Sequence, residues 1–385
     1  MSVNAYSWLS DSLVVIKRAN WYRQPRTVTP LANSQVIVDG QTLVNFASNN
    51  YLGLANDPRL KASAIAAIEQ YGTGTGSSRL VVGSNELHQQ LEAKIAQWKG
   101  TDSALVFSSG YLANVGVIAS LVTSQDIIFS DKLNHSCLVN GAKLSSAKVI
   151  AYKHCNLQDL DNLLNQYRSQ YRRALILTDS VFSMDGDIAP IAEIKKLADH
   201  YSAMLLVDEA HGVGAFGRQG AGVISQQNVP QPIIHMGTLS KALGSLGGYI
   251  AGERNLIDFL RNRCATWIYT TGLSPADTAS ALTAIDILQT EPERQARLWS
   301  NCQILQEILQ IPIHSPIVPI TVGDIQQTIA IAEQLQKRGF LVPAIRPPTV
   351  PTPRLRISLM ADHTEAQIKE LGAELLNLRV VNGTK

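Results

Sequence analysis

No apolar stretch in this 385-residue chain reaches the roughly 18–20 residues that a helix needs to cross a bilayer, so no membrane-spanning helix is expected. An excess of one charge is lacking too. Lysine and arginine number 33 against 31 acidic residues, a net charge of +2, and no Lys/Arg-rich run marks a nucleic-acid surface. Met1 to Ser10 has no positive flank ahead of an apolar core, so no secretion signal is read there. A soluble cytoplasmic protein is the expectation. The four cysteines, Cys137, Cys155, Cys264 and Cys302, include no C-x-x-C pair. His154 beside Cys155 offers two metal-ligand types, but no further ligands follow at a sensible spacing. Reduced, mostly buried thiols and no bound metal are therefore expected. Repeats and low-complexity segments are also missing.

What is present is ample core material. Hydrophobic residues make up 45% of the chain, and its length suits two to three domains at about 150 residues each. Residues 11–26 read as an amphipathic helix ending in Tyr22-Arg23-Gln24-Pro25. A hairpin follows, Val36 to Val38 and Thr42 to Phe46, turning at Asp39-Gly40. Leu105 to Phe107, Ala174 to Leu177, Met204 to Val207 and Ile233-Ile234 are short apolar runs without alternation, the pattern of strands buried on both faces. Helix-length segments at 111–122, 156–166 and 190–201 lie between them, and repeated β-then-α order predicts an α/β fold. Ser274-Pro275 supplies an N-cap and a first-turn proline for a helix through about Leu288. A second helix runs to about Leu309, and Pro312 to Pro319 is extended. Helices at 325–338 and 364–378 belong to a smaller α+β domain. The predicted division is an N-terminal segment (1–55), a large α/β domain (56–290) and a small C-terminal domain (291–385).

Two residues at the tips of predicted strands carry the chemistry. Asp208 ends Met204 to Val207 and opens Asp208-Glu209-Ala210-His211-Gly212. Lys241 lies 33 positions on, in Thr238-Leu239-Ser240-Lys241. A lysine and a carboxylate so placed are what a pyridoxal phosphate enzyme needs. The amine forms a Schiff base with the aldehyde, and the carboxylate keeps the pyridine nitrogen protonated so that the ring accepts electrons. Without those neighbours, Lys241 is a surface lysine and Asp208 a turn cap. Phe107-Ser108-Ser109-Gly110-Tyr111 is strand, glycine turn and helix start, a seat for phosphate. His135, after the strand-like Ile127-Ile128-Phe129, is either a structural histidine or a ring stacked on the cofactor. The glycine-rich run Tyr71 to Arg79 lacks the lysine of G-x-x-x-x-G-K-[ST] and follows no strand, so it is read as a loop over an active site or at a subunit interface. In Arg354-Leu355-Arg356-Ile357-Ser358 the two arginines are read as pointing to opposite sides of a strand. Surface exposure of both is the default, and an inward Arg356 would clamp a carboxylate.

Together these pieces resemble the α-oxoamine synthases, fold type I pyridoxal phosphate enzymes, from about Arg23 to the last helix. The resemblance rests on Asn49-Asn50-Tyr51-Leu52-Gly53-Leu54, Ser183-Met184-Asp185-Gly186-Asp187, Asp208 to Gly212 and Thr238 to Lys241. It implies a mostly parallel central sheet covered by helices in a cofactor-binding domain, with the smaller α+β domain after it. It implies that Lys241 holds the cofactor aldehyde and that Asp208 meets the pyridine nitrogen. His211 and Ser183 serve the ring oxygen, and His135 stacks on the ring. Gly110, Tyr111 and Thr238 bind phosphate, with Thr271 reaching the phosphate of a neighbouring subunit in a homodimer. Arg23, Asn49, Thr349 and Arg356 face substrate, Arg356 at the amino-acid carboxylate. Ile345-Arg346-Pro347-Pro348-Thr349-Val350-Pro351 resembles most the biotin-pathway member, which implies L-alanine and pimeloyl-CoA or pimeloyl-acyl carrier protein as substrates. Sibling members would use glycine or serine with other acyl chains. A non-catalytic partner subunit is disfavoured by the presence of both Lys241 and Asp208, and a nucleotide-binding module on residues 72–79 by the missing motif lysine. Two departures stand out. Thr352-Pro353 is a shortened link without its glycine, and His154-Cys155-Asn156 replaces a usual His-Asn-Asp and is expected to be structural.

Overall fold

The computed structural model describes residues 4–32 and 34–380. Packing divides the chain into two units, Asn49–Trp299 and Met1–Ser48 with Ser300–Lys385. The N-terminal segment thus belongs with the C-terminal unit. The backbone supplies the reason: Gln41–Asn45 pairs in parallel with Phe340–Leu341.

Residues 49–299 are built on a seven-stranded sheet. Its order is Ser103–Phe107, Gly248–Gly252, Ile234–Thr238, Met204–Asp208, Ala174–Asp179, Ile127–Asp131, Lys148–Tyr152. Gly248–Gly252 runs antiparallel to both neighbours, and every other pairing is parallel. The unbroken apolar runs become strands covered on both sides, as the sequence predicts: Ile127, Ile128, Phe129, Leu175, Ile176, Leu206 and Val207 are fully buried. Helix Gly110–Leu121 packs on 234–238 and 248–252. Its first residue lies hard against the sheet, because a Cβ on Gly248 would come within 2.5 Å of the Gly110 Cα. Only glycine at position 248 allows that approach.

Five of the strands lead to a group with chemistry to offer: Phe107 leads into Ser108 and Ser109, and Asp131, Asp179, Asp208 and Thr238 close their own strands. The carboxyl ends of parallel strands are where open α/β sheets bind ligands, since backbone N–H groups and helix N-termini converge there.

The other unit holds the hairpin Gln35–Val38 and Gln41–Asn45. Its turn residues Asp39 and Gly40 take φ of 51° and 80°, the left-handed pair a two-residue hairpin requires. A second sheet joins Ile317–Thr321, Arg354–Ser358 and Ala344–Ile345, all antiparallel. Helices Ile325–Lys337 and Glu365–Asn377 begin at Asp324 and Thr364, each capping a free N–H through its side chain. The first helix runs Ser7–Arg18, not 11–26. Asn20, at φ 56°, turns the chain out of helical geometry, and the stretch up to Arg26 is not helical. Among the described residues no helix is long and apolar enough to cross a membrane.

Candidate active site

Asp208 is 2% exposed. One of its oxygens accepts from the Ala210 N–H at 2.8 Å, the other from Asn114 Nδ2 at 2.7 Å. Cys137 Sγ lies 3.9 Å from that second oxygen. Among the described residues no lysine or arginine forms a salt bridge with Asp208. A buried anion held only by neutral donors is costly unless a positive group completes its surroundings. A protonated pyridine nitrogen would be such a group, so the carboxylate fits the ring that the sequence led us to expect.

His211 follows three residues after Asp208 and is 5% exposed. Its Nε2 lies 3.0 Å from Lys241 Nζ and its Nδ1 lies 2.7 Å from the hydroxyl of Tyr51. Lys241 is half-buried, in the turn that follows Ile234–Thr238. That turn is fixed by Thr238, whose hydroxyl donates to the Gly247 carbonyl at 3.0 Å and meets Ser240 Oγ at 2.8 Å.

The phosphate seat predicted at 107–111 forms as a true helix start. Ser109 caps it by accepting from the Leu112 N–H at 3.2 Å, which leaves the N–H groups of Gly110 and Tyr111 at the positive end of the helix. A Cβ on Gly110 would lie 3.6 Å from the Thr238 side chain, so the donor set of Gly110, Tyr111 and Thr238 is local. The Tyr111 ring is exposed, its hydroxyl accepting from Asn140 Nδ2 at 2.6 Å.

His135 caps the helix Ser136–Leu144. Its N–H donates to Asp179 Oδ2 at 2.7 Å, and Nδ1 lies 2.8 Å from Cys137 Sγ. Through Cys137, His135 and Asp208 touch the same thiol. Asp179 pairs in register with Asp208 on the next strand. Burial, with Asp208 next to it, pushes the Asp179 carboxyl well above its usual range. The same two causes push the Cys137 thiol up. Both shifts favour the neutral form of the group.

Ser183 lies in the turn 182–187, closed by the Phe182 N–H to Asp187 carbonyl bond at 3.0 Å. His154 braces that turn. Its Nδ1 is 2.9 Å from Asp131 and its Nε2 2.5 Å from Asp187. Partial burial opposes charge on this ring, but the two carboxylates outweigh it and hold the imidazole up to about 12. Asp131, His154 and Cys155 are close enough to share a metal ion. With both ring nitrogens already turned to carboxylates, the arrangement is that of a histidinium clamp.

Thr271 forms a bridge with Ser78, and Thr75 Oγ1 donates to the Gly272 carbonyl at 3.0 Å. The glycine-rich loop is thus fastened alongside Thr271. Asn49 accepts from the Tyr51 hydroxyl at 3.2 Å. In the other unit, Arg23 donates to Thr349 Oγ1 at 2.7 Å, which brings two of the expected substrate residues together. Arg346 holds the N-terminal chain beside them through the carbonyls of Asn20 and Tyr22. Arg354 and Arg356 are both buried, at 8% and 5% exposure, against the expectation of surface exposure. They also share one side of their strand, because residues two apart do. Arg356 donates to Ser358 Oγ at 2.7 Å.

Tyr51, Asn114, Cys137 and Asp179 are site residues that sequence reasoning missed. Tyr51 falls inside a motif quoted for other reasons and Asn114 inside the predicted helix 111–122, and only the fold shows them touching His211 and Asp208.

Residues 41–375 match the family model for aminotransferase class I and II. The chain is 54% identical over 379 residues to a Rippkaea orientalis protein named "Putative 8-amino-7-oxononanoate synthase", covering 97% of this chain and all of that one. A solved structure of serine palmitoyltransferase with a PLP internal aldimine superposes with a TM-score of 0.93 at 30% identity, over 98% of this chain and 100% of that one. An 8-amino-7-oxononanoate synthase from Francisella tularensis superposes at 0.76 and 28% identity, over 88% and 97%.

Proposed function

The chain belongs to the aminotransferase class I and II family and, within it, to the pyridoxal phosphate-dependent α-oxoamine synthases; from that premise we propose that it condenses L-alanine with a pimeloyl thioester, of coenzyme A or acyl carrier protein. The products are 8-amino-7-oxononanoate, carbon dioxide and the free thiol. The observation that carries this reading is the pairing of Lys241 with His211 at 3.0 Å, with buried Asp208 at the carboxyl end of the central strand. The choice of substrates draws on the segment 345–351 and on the name of the 54% identical relative.

Bound pyridoxal phosphate supplies an aldehyde for amines and a protonated ring that draws electrons from the α-carbon. The protein's own groups do the rest. Asp208 holds the proton at the ring nitrogen, and its neutral neighbours Asn114 and Cys137 leave its charge directed there. The Gly110 and Tyr111 N–H groups and Thr238 take the phosphate, and His211 and Ser183 take the ring oxygen. His135 offers its flat face to the ring. Lys241 Nζ would be the base that takes the α-proton of alanine. We assign Arg356 to the alanine carboxylate, and Arg23, Asn49 and Thr349 to substrate contacts. The working form is a cytoplasmic homodimer in which Thr271 reaches the partner's phosphate.

A second reading has its own support. The serine palmitoyltransferase fold match, at a TM-score of 0.93, exceeds the Francisella match at 0.76, which favours a sibling reaction with serine and a longer acyl chain. One experiment separates the two. Purified holoprotein is given alanine, serine or glycine with a panel of acyl thioesters, and the products are identified by mass. Our reading expects 8-amino-7-oxononanoate from alanine and pimeloyl thioester. A serine adduct of a long acyl chain, with alanine inert, would replace it with the second.

A further inference from the structure

We propose that Lys99 is a positioning residue: with Glu209 it forms a buried ion pair that fixes the turn carrying Asp208 and His211, and so sets where both meet the cofactor ring. This rests on the reading of the chain as a pyridoxal phosphate enzyme. Glu209 follows Asp208 in the chain, but the two carboxylates are held from different elements. Asp208 is met by Asn114 of the helix Gly110–Leu121, and Glu209 by Lys99, the last residue of the helix Glu86–Lys99. Lys99 Nζ lies 2.6 Å from Glu209 Oε2, and both side chains are closed to solvent. The other oxygen, Oε1, accepts from the Ile224 N–H at 2.9 Å. Lys99 Nζ also donates to the Ala221 carbonyl at 2.5 Å. The fit is close, since a Cβ on Gly222 would collide with Oε1. Burial opposes charge on Glu209, but Lys99, with His235 beside it, outweighs that cost and holds the carboxyl down to about 2.

The turn hangs from the backbone of Glu209. Its N–H donates to the Met236 carbonyl on the neighbouring strand at 2.8 Å, and its carbonyl accepts from the N–H groups of Gly212 and Val213, each at 2.9 Å. His211 lies inside that turn. A Glu209 side chain anchored at both oxygens therefore leaves residues 208–213 little freedom to rock on the end of the sheet. Stability alone does not account for the pair. Taking two charges out of water costs about as much as their attraction returns, and apolar residues of similar volume often serve a fold as well. What the charged pair adds is direction, because charge-assisted hydrogen bonds are short and geometrically specific. Here that direction ties the helix Glu86–Lys99 and the segment 221–224 to the turn.

The test compares wild type with the double variant Lys99→Met/Glu209→Gln, which removes both charges and leaves no buried ion alone. The melting temperature of the cofactor-free variant should stay within about 4 °C of wild type. Deuterium exchange at Gly212 and Val213 should quicken at least about tenfold, with Met204 to Val207 unchanged. Affinity for pyridoxal phosphate, titrated into the same protein, should fall at least about tenfold, the worth of one hydrogen bond to a charged group. Glu209→Asp keeps the charge and shortens its reach. It should show the same signs in weaker form, and it carries the test if the double variant does not fold. An exchange rate or an affinity unmoved in a folded variant would overturn the proposal. So would a melting temperature far below that range, or failure of both variants to fold, since either makes the pair structural only. Wild type that binds no pyridoxal phosphate would instead defeat the underlying reading, and the proposal with it.

Discussion

Asn114 donates its side-chain amide to Asp208 at 2.7 Å, and neither side chain is open to water. The helix Gly110–Leu121 thus serves the site twice. Its N-terminus offers backbone donors, and its second turn holds the carboxylate.

Asn114→Leu should leave Asp208 buried with one donor fewer. Hydrogen bonds to charged groups contribute about 1.5–3 kcal/mol. Pyridoxal phosphate affinity, measured by titrating the cofactor-free protein, should fall roughly 10- to 100-fold. An unchanged affinity would remove Asn114 from the cofactor site.

Arg356→Lys keeps the charge and loses the planar fork. If this arginine holds the substrate carboxylate, KM for L-alanine should rise about tenfold or more, with KM for the thioester nearly constant. Because Arg356 is buried, the melting temperature should be recorded alongside. A loss of stability with an unaltered KM would mark the residue as structural.

His154 gives a pH prediction with a defined sign. Its pKa is raised from an ordinary 6.5 to about 12 by Asp131 and Asp187, against the cost of partial burial. A raised pKa contributes stability that is full below 6.5 and is lost as pH climbs toward 12. The melting temperature of His154→Gln should therefore lie furthest below wild type near pH 6. The gap should narrow steadily toward pH 10. A gap that widened with pH would mean that the ring is not held as a cation.

Breaking the Arg23–Thr349 bond by Thr349→Val removes one hydroxyl from an exposed pair. Such surface contacts stabilise by no more than about 0.5 kcal/mol, so the melting temperature should hardly move. If the pair serves substrate, kcat/KM should drop several-fold all the same.

The large sheet was legible where strands are buried on both faces, because Met204 to Asp208 and Ala174 to Asp179 carry unbroken apolar runs. Asp208 and Lys241 were legible for the same reason: each follows such a run. Gly248–Gly252 escaped notice, since two of its five residues are glycines that read as breakers, although its pairing on both sides holds it as a strand. Lys148–Tyr152 is an edge strand whose apolar run, Val149 to Tyr152, is only partly buried, so the pattern of strands covered on both faces does not single it out. Asn114 was hidden differently. Its side chain reaches Asp208 across 94 positions of sequence, and only the phase of its helix against the sheet decides that contact. Tyr51 touches His211 across 160. The sequence shows residue types at strand tips, but contacts between elements wait on the fold.

Reducing the holoprotein with borohydride and mapping its peptides by mass tests the central claim most directly. The account predicts a single phosphopyridoxyl group, on the peptide that carries Lys241, and none in Lys241→Ala. A label on another lysine, or a colourless protein that yields no label, would contradict it.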